Sequence, residues 1–433
     1  MGGDLVYEPI GKYAEVQGGF AYKSKDFIVD TGVPVLKIKN IRHRDIDVSE
    51  VDKVSEKIAR ETARFYAKPG DIMISMTGSG VQAPDSIVGR VARYNGPSEK
   101  YLINQRVGRF IVEDLEQLEP RYLYYFLSQR SVQWELVSIA TGSANQVNIS
   151  AKQIEDFPIP IREISEQRVI AHILGSLDDK IEINQKTNET LEAMARAIFK
   201  SWFVDFDPVR AKAEGRDTGL PKEIADLFPD SFEDSELGEI PKGWRATKLK
   251  DGVEIFDNKR IPLNKRQRAE RQGPFPYYGA AGIMDYVDDF LFDGVYVLTG
   301  EDGSVTDDNG YPVVQYVWGQ FWVNNHAHVL KGKNGISDEH LYLFLEQAYI
   351  AAFVTGAVQP KLSQKNLKAI PFLLPREQVC IEFSEIVKPL FTKIRANCDE
   401  NITLAAIRDA LLPKLISGEL RVKDTEKFAE GLA

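Results

Sequence analysis

Ten positions between Ile170 and Trp202 constrain this chain more than any other feature. Ile170, Leu174, Leu177, Ile181, Asn184, Asn188, Leu191, Ala195, Ile198 and Trp202 follow one another at spacings that alternate four and three. That is the a/d seam of a coiled coil, carried by a helix expected from Glu166 to Phe203. The pattern returns 213 residues later as Phe383, Val387, Leu390, Ile394, Asn397, Asn401, Leu404, Arg408, Leu411 and Leu415. Asparagine fills the same two slots in both copies.

Two such helices in one chain are expected to pair with each other. A buried a or d asparagine is costly unless it meets a polar partner, and it then fixes register. Run antiparallel, the helices set Asn184 opposite Asn401 and Asn188 opposite Asn397, with a pseudo-twofold axis near residues 186 and 399. The competing reading is two ordinary core helices whose asparagines coincide by chance.

Residues 4–160 read as an α/β unit. Pro34–Lys39, Gly70–Thr77, Ile87–Tyr94 and Val107–Val112 are strand candidates, and Pro120–Gln129 opens as a helix with proline in its first turn. The loop Thr141–Gln146 and the run Val147–Ile161 lead into the first seam helix. Residues 207–243 are rich in proline, glycine and acidic residues and read as a linker with one short helix, Lys222–Leu227. Residues 244–375 then replay the first unit. Gly294–Gly303 matches Gly70–Gly80, and Asn324, Asn325 and His326 stand where Asn104, Gln105 and Arg106 stood. Asp338–Gln347 matches Pro120–Gln129, Thr355–Gln359 matches Thr141–Gln146, and Ser363, Lys365 and Pro371 match Ser150, Lys152 and Pro158. The expected boundaries are a globular unit at 4–160, a helix at 161–206, a linker at 207–243, a second unit at 244–375, a second helix at 376–418 and a tail at 419–433. The chain is thus a duplication. The halves agree at the helices and their lead-in and diverge over 34–100 and 256–320, so a shared frame holds two differently worded surfaces.

At 433 residues and 43% hydrophobic content the chain suffices for two or three domains with proper cores. No run of eighteen or more apolar residues occurs, so no membrane span is expected. The N-terminal stretch lacks a basic segment followed by an apolar one, so no secretory signal is expected. The two cysteines, Cys380 and Cys398, stand apart along the second seam helix and cannot bridge; a reducing, cytoplasmic location is expected. A net charge of −10 argues against a free-standing nucleic-acid binder but leaves room for local basic faces.

Three strings carry a resemblance. They run from Glu166 to Glu182 (EQRVIAHILGSLDDKIE), from Asn188 to Phe206 (NETLEAMARAIFKSWFVDF), and from Pro276 to Ile283 (PYYGAAGI) with Phe292–Gly294 following. Over nearly its whole length the chain resembles the specificity subunit of type I restriction–modification enzymes. The resemblance implies an α/β (α+β) fold in which two pseudo-twofold related target-recognition domains are joined by two long antiparallel coiled-coil helices. It implies that each domain reads one half of a bipartite double-stranded DNA site while the helices act as spacer. It also implies two docked adenine-methyltransferase (modification) subunits, which bind S-adenosylmethionine, and motor-nuclease subunits that join for restriction. A helix of about 36 residues spans roughly 54 Å at 1.5 Å per residue, comparable to about 16 base pairs of B-DNA.

No catalytic constellation is expected in the chain itself. It has no G-x-x-x-x-G-K-[ST] phosphate loop and no Asn/Asp-Pro-Pro-Tyr-type tetrapeptide of an amino-methyltransferase. Gly78–Gly80 and Gly300–Gly303 read as turns at strand ends rather than nucleotide cradles. His326 and His328 stand two apart near an expected strand, and no Cys or acidic cluster is expected to complete a metal site with them. Asp230, Glu236 and Lys242 lie in linker-like surroundings, which argues against a nuclease there. DNA-facing candidates are Lys37, Lys39, Asn40, Arg42 and Arg44 in the first unit and Lys259, Arg260, Lys265, Arg266, Arg268 and Arg271 in the second. Such clusters suit phosphate contacts and guanine edges, against the alternative of a solvated charged surface. Thr77, Ser79, Arg106, Glu301, Asn325 and His326 occupy corresponding loops with different wording and are further candidates. Tyr277 and Tyr278 are read as core aromatics ahead of base-stacking ones. Trp202, Phe203 and Phe206 are read as core of the adjoining domain or as a docking patch. Asn184, Asn188, Asn397 and Asn401 are expected to set helix register. A protein-only scaffold and an enzyme in its own right are the competing functions.

Overall fold

The computed structural model describes residues 5–29, 31–79, 88–143, 146–356 and 358–421. They form two compact units, one drawn from residues 1–182 and 401–433 and the other from residues 183–400. Each long helix therefore gives residues to both units.

The two units repeat the topology of one central sheet and of a lead-in strand pair. In the first, an antiparallel sheet runs in the order Ala14–Gly18, Val107–Val112, Ile72–Ser75, Val91–Arg93. In the second, Val253–Ile255, Ala327–Gly332, Tyr296–Gly300 and Val314–Val317 run in the same order. A further sheet in each unit holds one parallel pair: Val33–Leu36 beside Leu102–Ile103 in the first, and Phe275–Tyr278 beside Gln320–Val323 in the second. The lead-in strands Pro158–Ile161 and Pro371–Leu374 each pair antiparallel with the opening strand of their unit, Val6–Pro9 and Arg245–Lys248. Helices capped by Ser150 and Ser363 precede both lead-ins, each serine accepting from the backbone N–H three residues on.

Several expected elements are shorter than their pattern. The strand at Pro34–Lys39 stops at Leu36, because Lys37 and Asn40 close a turn in which Lys37 N donates to Asn40 Oδ1. Of Ile87–Tyr94, Ile87 lies outside the described residues and the strand is Val91–Arg93. Within Thr141–Gln146, Thr141–Ser143 pairs with Gln146–Asn148, while residues 144 and 145 lie outside the described residues. Gly80, Ala357 and residues 422–433 of the expected turn, repeat and tail lie outside them as well.

The long helices run Ile164–Phe203 and Glu377–Ser417. In the second unit Asn397 donates to Asn188 Oδ1 at 2.8 Å, and Asn184 donates to Glu400 Oε2 at 2.8 Å. Ala195, Phe199 and Trp202 share a core with Phe383, Val387 and Phe391, so numbering rises on one helix as it falls on the other. In the first unit Arg408 donates to Asp178 at 2.6 Å and Arg162 donates to the carbonyl of Ile416 at 2.9 Å, again antiparallel. Ile170 and Leu174 are fully buried there with Leu412 and Leu415, each such side chain worth roughly 1.5–3 kcal/mol of burial. The second helix ends where Gly418 takes φ +77°, the left-handed conformation that glycine adopts at helix ends, and Leu420 N bonds back to Lys414 O.

Residues 207–243, expected as a linker, are packed. Helices Asp207–Ala213 and Lys222–Ala225 and the hairpin Phe232–Ser235/Gly238–Pro241 bury Val209 and Phe228 against Trp202, Phe203 and Trp244. Lys212 holds the segment by donating to the carbonyls of Ala225 and Phe228. The aromatic anchors outweigh a proline- and glycine-rich composition, and Trp202 and Phe203 are core. Among the described residues no helix is long and apolar enough to cross a membrane.

Candidate nucleic-acid interface

One loop stands on the same backbone frame in both units. In the first, Asn104 N donates to Leu36 O at 3.0 Å, tying the end of one parallel strand to its neighbour. Asn104 Oδ1 then accepts from Arg106 N at 3.3 Å, and Arg106 O accepts from Met76 N at 2.9 Å. In the second, Asn324 N donates to Tyr278 O at 3.0 Å, Asn324 Oδ1 accepts from His326 N at 2.8 Å, and His326 O accepts from Glu301 N at 2.7 Å. Both turns feed directly into the central strand of their sheet, at Val107 and Ala327. An asparagine is needed at the first position because its side chain satisfies an N–H the turn would orphan.

The side chains on this common frame differ. Arg106 is exposed, and among the described residues its guanidinium pairs with no carboxylate. His326 is half-exposed, and its Nδ1 meets Asp302 Oδ1. His326 and Asp302 line a cleft of about 480 Å³ with Asn324, Gln359, Gly303 and the segment Ala280–Met284. Ile283 and Met284 are about half exposed there, and Gln315 fastens the segment by donating to the carbonyls of Gly279 and Ala280. Gly303 turns the cleft wall at φ +77°, and a Cβ on Gly300 would lie 2.2 Å from Ser304 O. These glycines serve tight turns.

Most of the basic candidates are already occupied. Lys37 pairs with Asp52 at 2.8 Å and lies 3.6 Å from the Phe27 ring centre, and Lys39 stands 3.8 Å from the same carboxylate. The hydrogen bond from Lys37 holds the Asp52 carboxyl below the usual carboxylate range. Asn40 is buried, its amide donating to the carbonyls of Asp47 and Glu50, so it builds a loop and is withdrawn as a DNA contact. Arg42 pairs with Asp47, and Arg44, mostly buried, pairs with Asp409. Thr77 is buried and donates to Asn148 Oδ1, which withdraws it too, while Ser79 is half-buried.

In the second unit Arg260 is 11% exposed and bridges Asp257 and Glu301. Asp257 Oδ2 meets His328 Nδ1 at 2.6 Å and Oδ1 accepts from Val329 N, while His328 Nε2 faces Leu362 O at 2.7 Å. Both ring nitrogens of His328 thus face oxygen atoms. Burial raises the Asp257 carboxyl, but His328, the Val329 N–H and Arg260 outweigh it and leave it low. Asp257, Glu301 and His328 place ligand atoms within 4.8 Å of one another. Yet Arg260 already bridges the two carboxylates and His328 is held by Asp257, so the group reads as a structural ion network. Arg260 and Glu301 are therefore framework, not surface. Arg268 donates to Asp285 and covers the Tyr277 ring, and Arg271 pairs with Asp288 over the Trp322 ring. Arg266 pairs with Glu270 on the surface. Lys259, Lys265 and Asn325 are exposed, and among the described residues neither lysine has a carboxylate partner. Tyr277 is buried, its hydroxyl accepting from Leu263 N.

The repeated frame, with its differing exposed loops, defines a duplicated-domain recognition protein. The family model for the type I restriction modification DNA specificity domain matches residues 7–193 and 241–404, more than half of the chain, and the chain belongs to that family. It is similar to the type I restriction enzyme MjaIX specificity subunit of Methanocaldococcus jannaschii, 26% identical over 378 residues that cover 86% of this chain and 82% of that protein. It is also similar to the HindI specificity subunit of Haemophilus influenzae, 26% identical over 424 residues covering 83% and 88%. Among solved structures, the type I S subunit of M. genitalium shares the fold with a TM-score of 0.56 and 18% identity, over 95% of this chain and 96% of that one.

Proposed function

We propose that each unit reads one half of a bipartite site in double-stranded DNA, and that the paired helices set the unread interval. On this reading the helices also dock two modification subunits, which bind S-adenosylmethionine and carry out the methylation, and motor-nuclease subunits join for restriction. This chain supplies sequence choice and no reacting group.

The duplication carries the reading: the same central sheet, lead-in pair and turn recur in both units while the exposed side chains on the turn differ. Recognition by two related modules predicts inverted half-sites, and unlike modules predict unlike halves. Helices of 40 and 41 residues, about 60 Å long each, suit an interval of that order. Pairing of most of the candidate cations with carboxylates fits a chain whose partners supply much of the phosphate neutralisation.

A selection from random duplexes tests this. The chain assembled with its modification subunit should enrich a single split motif with two unlike halves at fixed spacing. Enrichment of nothing by an assembled complex would favour a scaffold that binds only proteins.

A further inference from the structure

We infer that Arg106 and His326 are the paired specificity-determining side chains, each addressing a base edge in its own half-site. The inference rests on the reading above and goes beyond it by naming the contact. Three observations converge. The backbone at both residues is pinned by the same three hydrogen bonds, so each side chain springs from a rigid, equivalent point. Rigid presentation matters because base readout is angular and unforgiving. The two side chains are accessible, while neighbouring cations such as Lys37, Arg44, Arg260 and Arg268 are held by carboxylates. Their chemistry then differs in a useful way. The guanidinium fork of Arg106, without a carboxylate partner among the described residues, matches O6 and N7 of guanine, the commonest specific major-groove contact. His326 meets Asp302 through Nδ1 and lines the cleft, so Nε2 is the ring nitrogen that remains for a base edge. One frame thus supports two different letters, which explains why the halves agree at the asparagine of the turn and differ at the two residues after it.

The test uses the full chain assembled with its modification subunit and a panel of duplexes in which each base pair of the selected motif is changed in turn. Arg106→Gln should erase discrimination at one position, a guanine, in one half-site, by about 5- to 150-fold, leaving the other half-site unchanged. Arg106→Lys keeps the charge without the fork and should erase the same discrimination; it also carries the test should Arg106→Gln fail to assemble. His326→Ala should relax one position in the other half-site only. Discrimination that survives all three changes overturns the inference, as does uniform weakening across the panel, the mark of a phosphate contact. A wild-type complex that selects no split motif would refute the underlying reading instead.

Discussion

Asn397 donates its side-chain amide to Asn188 Oδ1 at 2.8 Å, and the two residues are nearly completely buried between the long helices of the second unit. Asn397 Oδ1 finds no partner among the described residues. The pair therefore contributes register more than stability. Asn188→Leu should destabilise the unit by about 1–3 kcal/mol, because it leaves the Asn397 amide buried and unbonded. Asn188→Leu with Asn397→Leu should recover most of that loss. Chemical denaturation of the single and double variants checks this, and equal, additive losses would count against a coupled pair.

Asp257 pairs with the buried Arg260 and meets His328 Nδ1. Asp257→Asn should cost the second unit about 1–3 kcal/mol, because it removes an acceptor from buried partners while Arg260 keeps Glu301. A shift in denaturation midpoint of that size is the expected result. Added zinc or manganese should not restore the wild-type midpoint, since the site is an ion network.

His340 is sealed among Phe199, Phe203 and Phe383, and burial pushes its pKa down to about 3. The unfolded chain takes up this proton below about pH 6.5 and the folded chain does not. Stability is therefore full above that pH and falls as pH drops toward the folded value. Between pH 6.5 and 5 the loss from this group should be about 2 kcal/mol. His340→Phe should flatten the profile over that window, as read by denaturation midpoints at both pH values.

Lys259 and Lys265 are the exposed cations of the second unit's basic segment without carboxylate partners among the described residues. If they contact phosphate, Lys259→Gln and Lys265→Gln should weaken binding evenly across sequences. Each should also lower the slope of log K against log salt by about 0.9. Arg268→Gln should instead lower stability, because it uncovers Asp285 and the Tyr277 ring.

How much of this was legible in sequence differs by element. The seam helices were, because a heptad spells out its own partner face. So was Val107–Val112, a strand buried along most of its length. The turn at Asn104 and Asn324 left a trace, since asparagine recurs two residues before Arg106 and before His326. The fates of the charged residues were not readable. Arg44 meets Asp409, Arg260 meets Glu301 and Arg268 meets Asp285, pairings made by folding across many residues. Asn40 looked like a surface polar residue and closes a loop instead. Gln359 and Ile283 lay in strings that marked the repeat and the resemblance but not a cleft, and nothing local marks Met284. Residues 207–243 misled because composition reports turns but not the aromatic cluster those turns serve.

The most direct measurement of the central claim is a methylation map of DNA from cells that co-express this chain with its modification subunit. The account predicts one new split motif, with methyl-adenine in two unlike halves at a fixed interval, that vanishes when this chain is omitted. A methylation pattern unchanged by this chain, with the complex shown to be assembled, would contradict it.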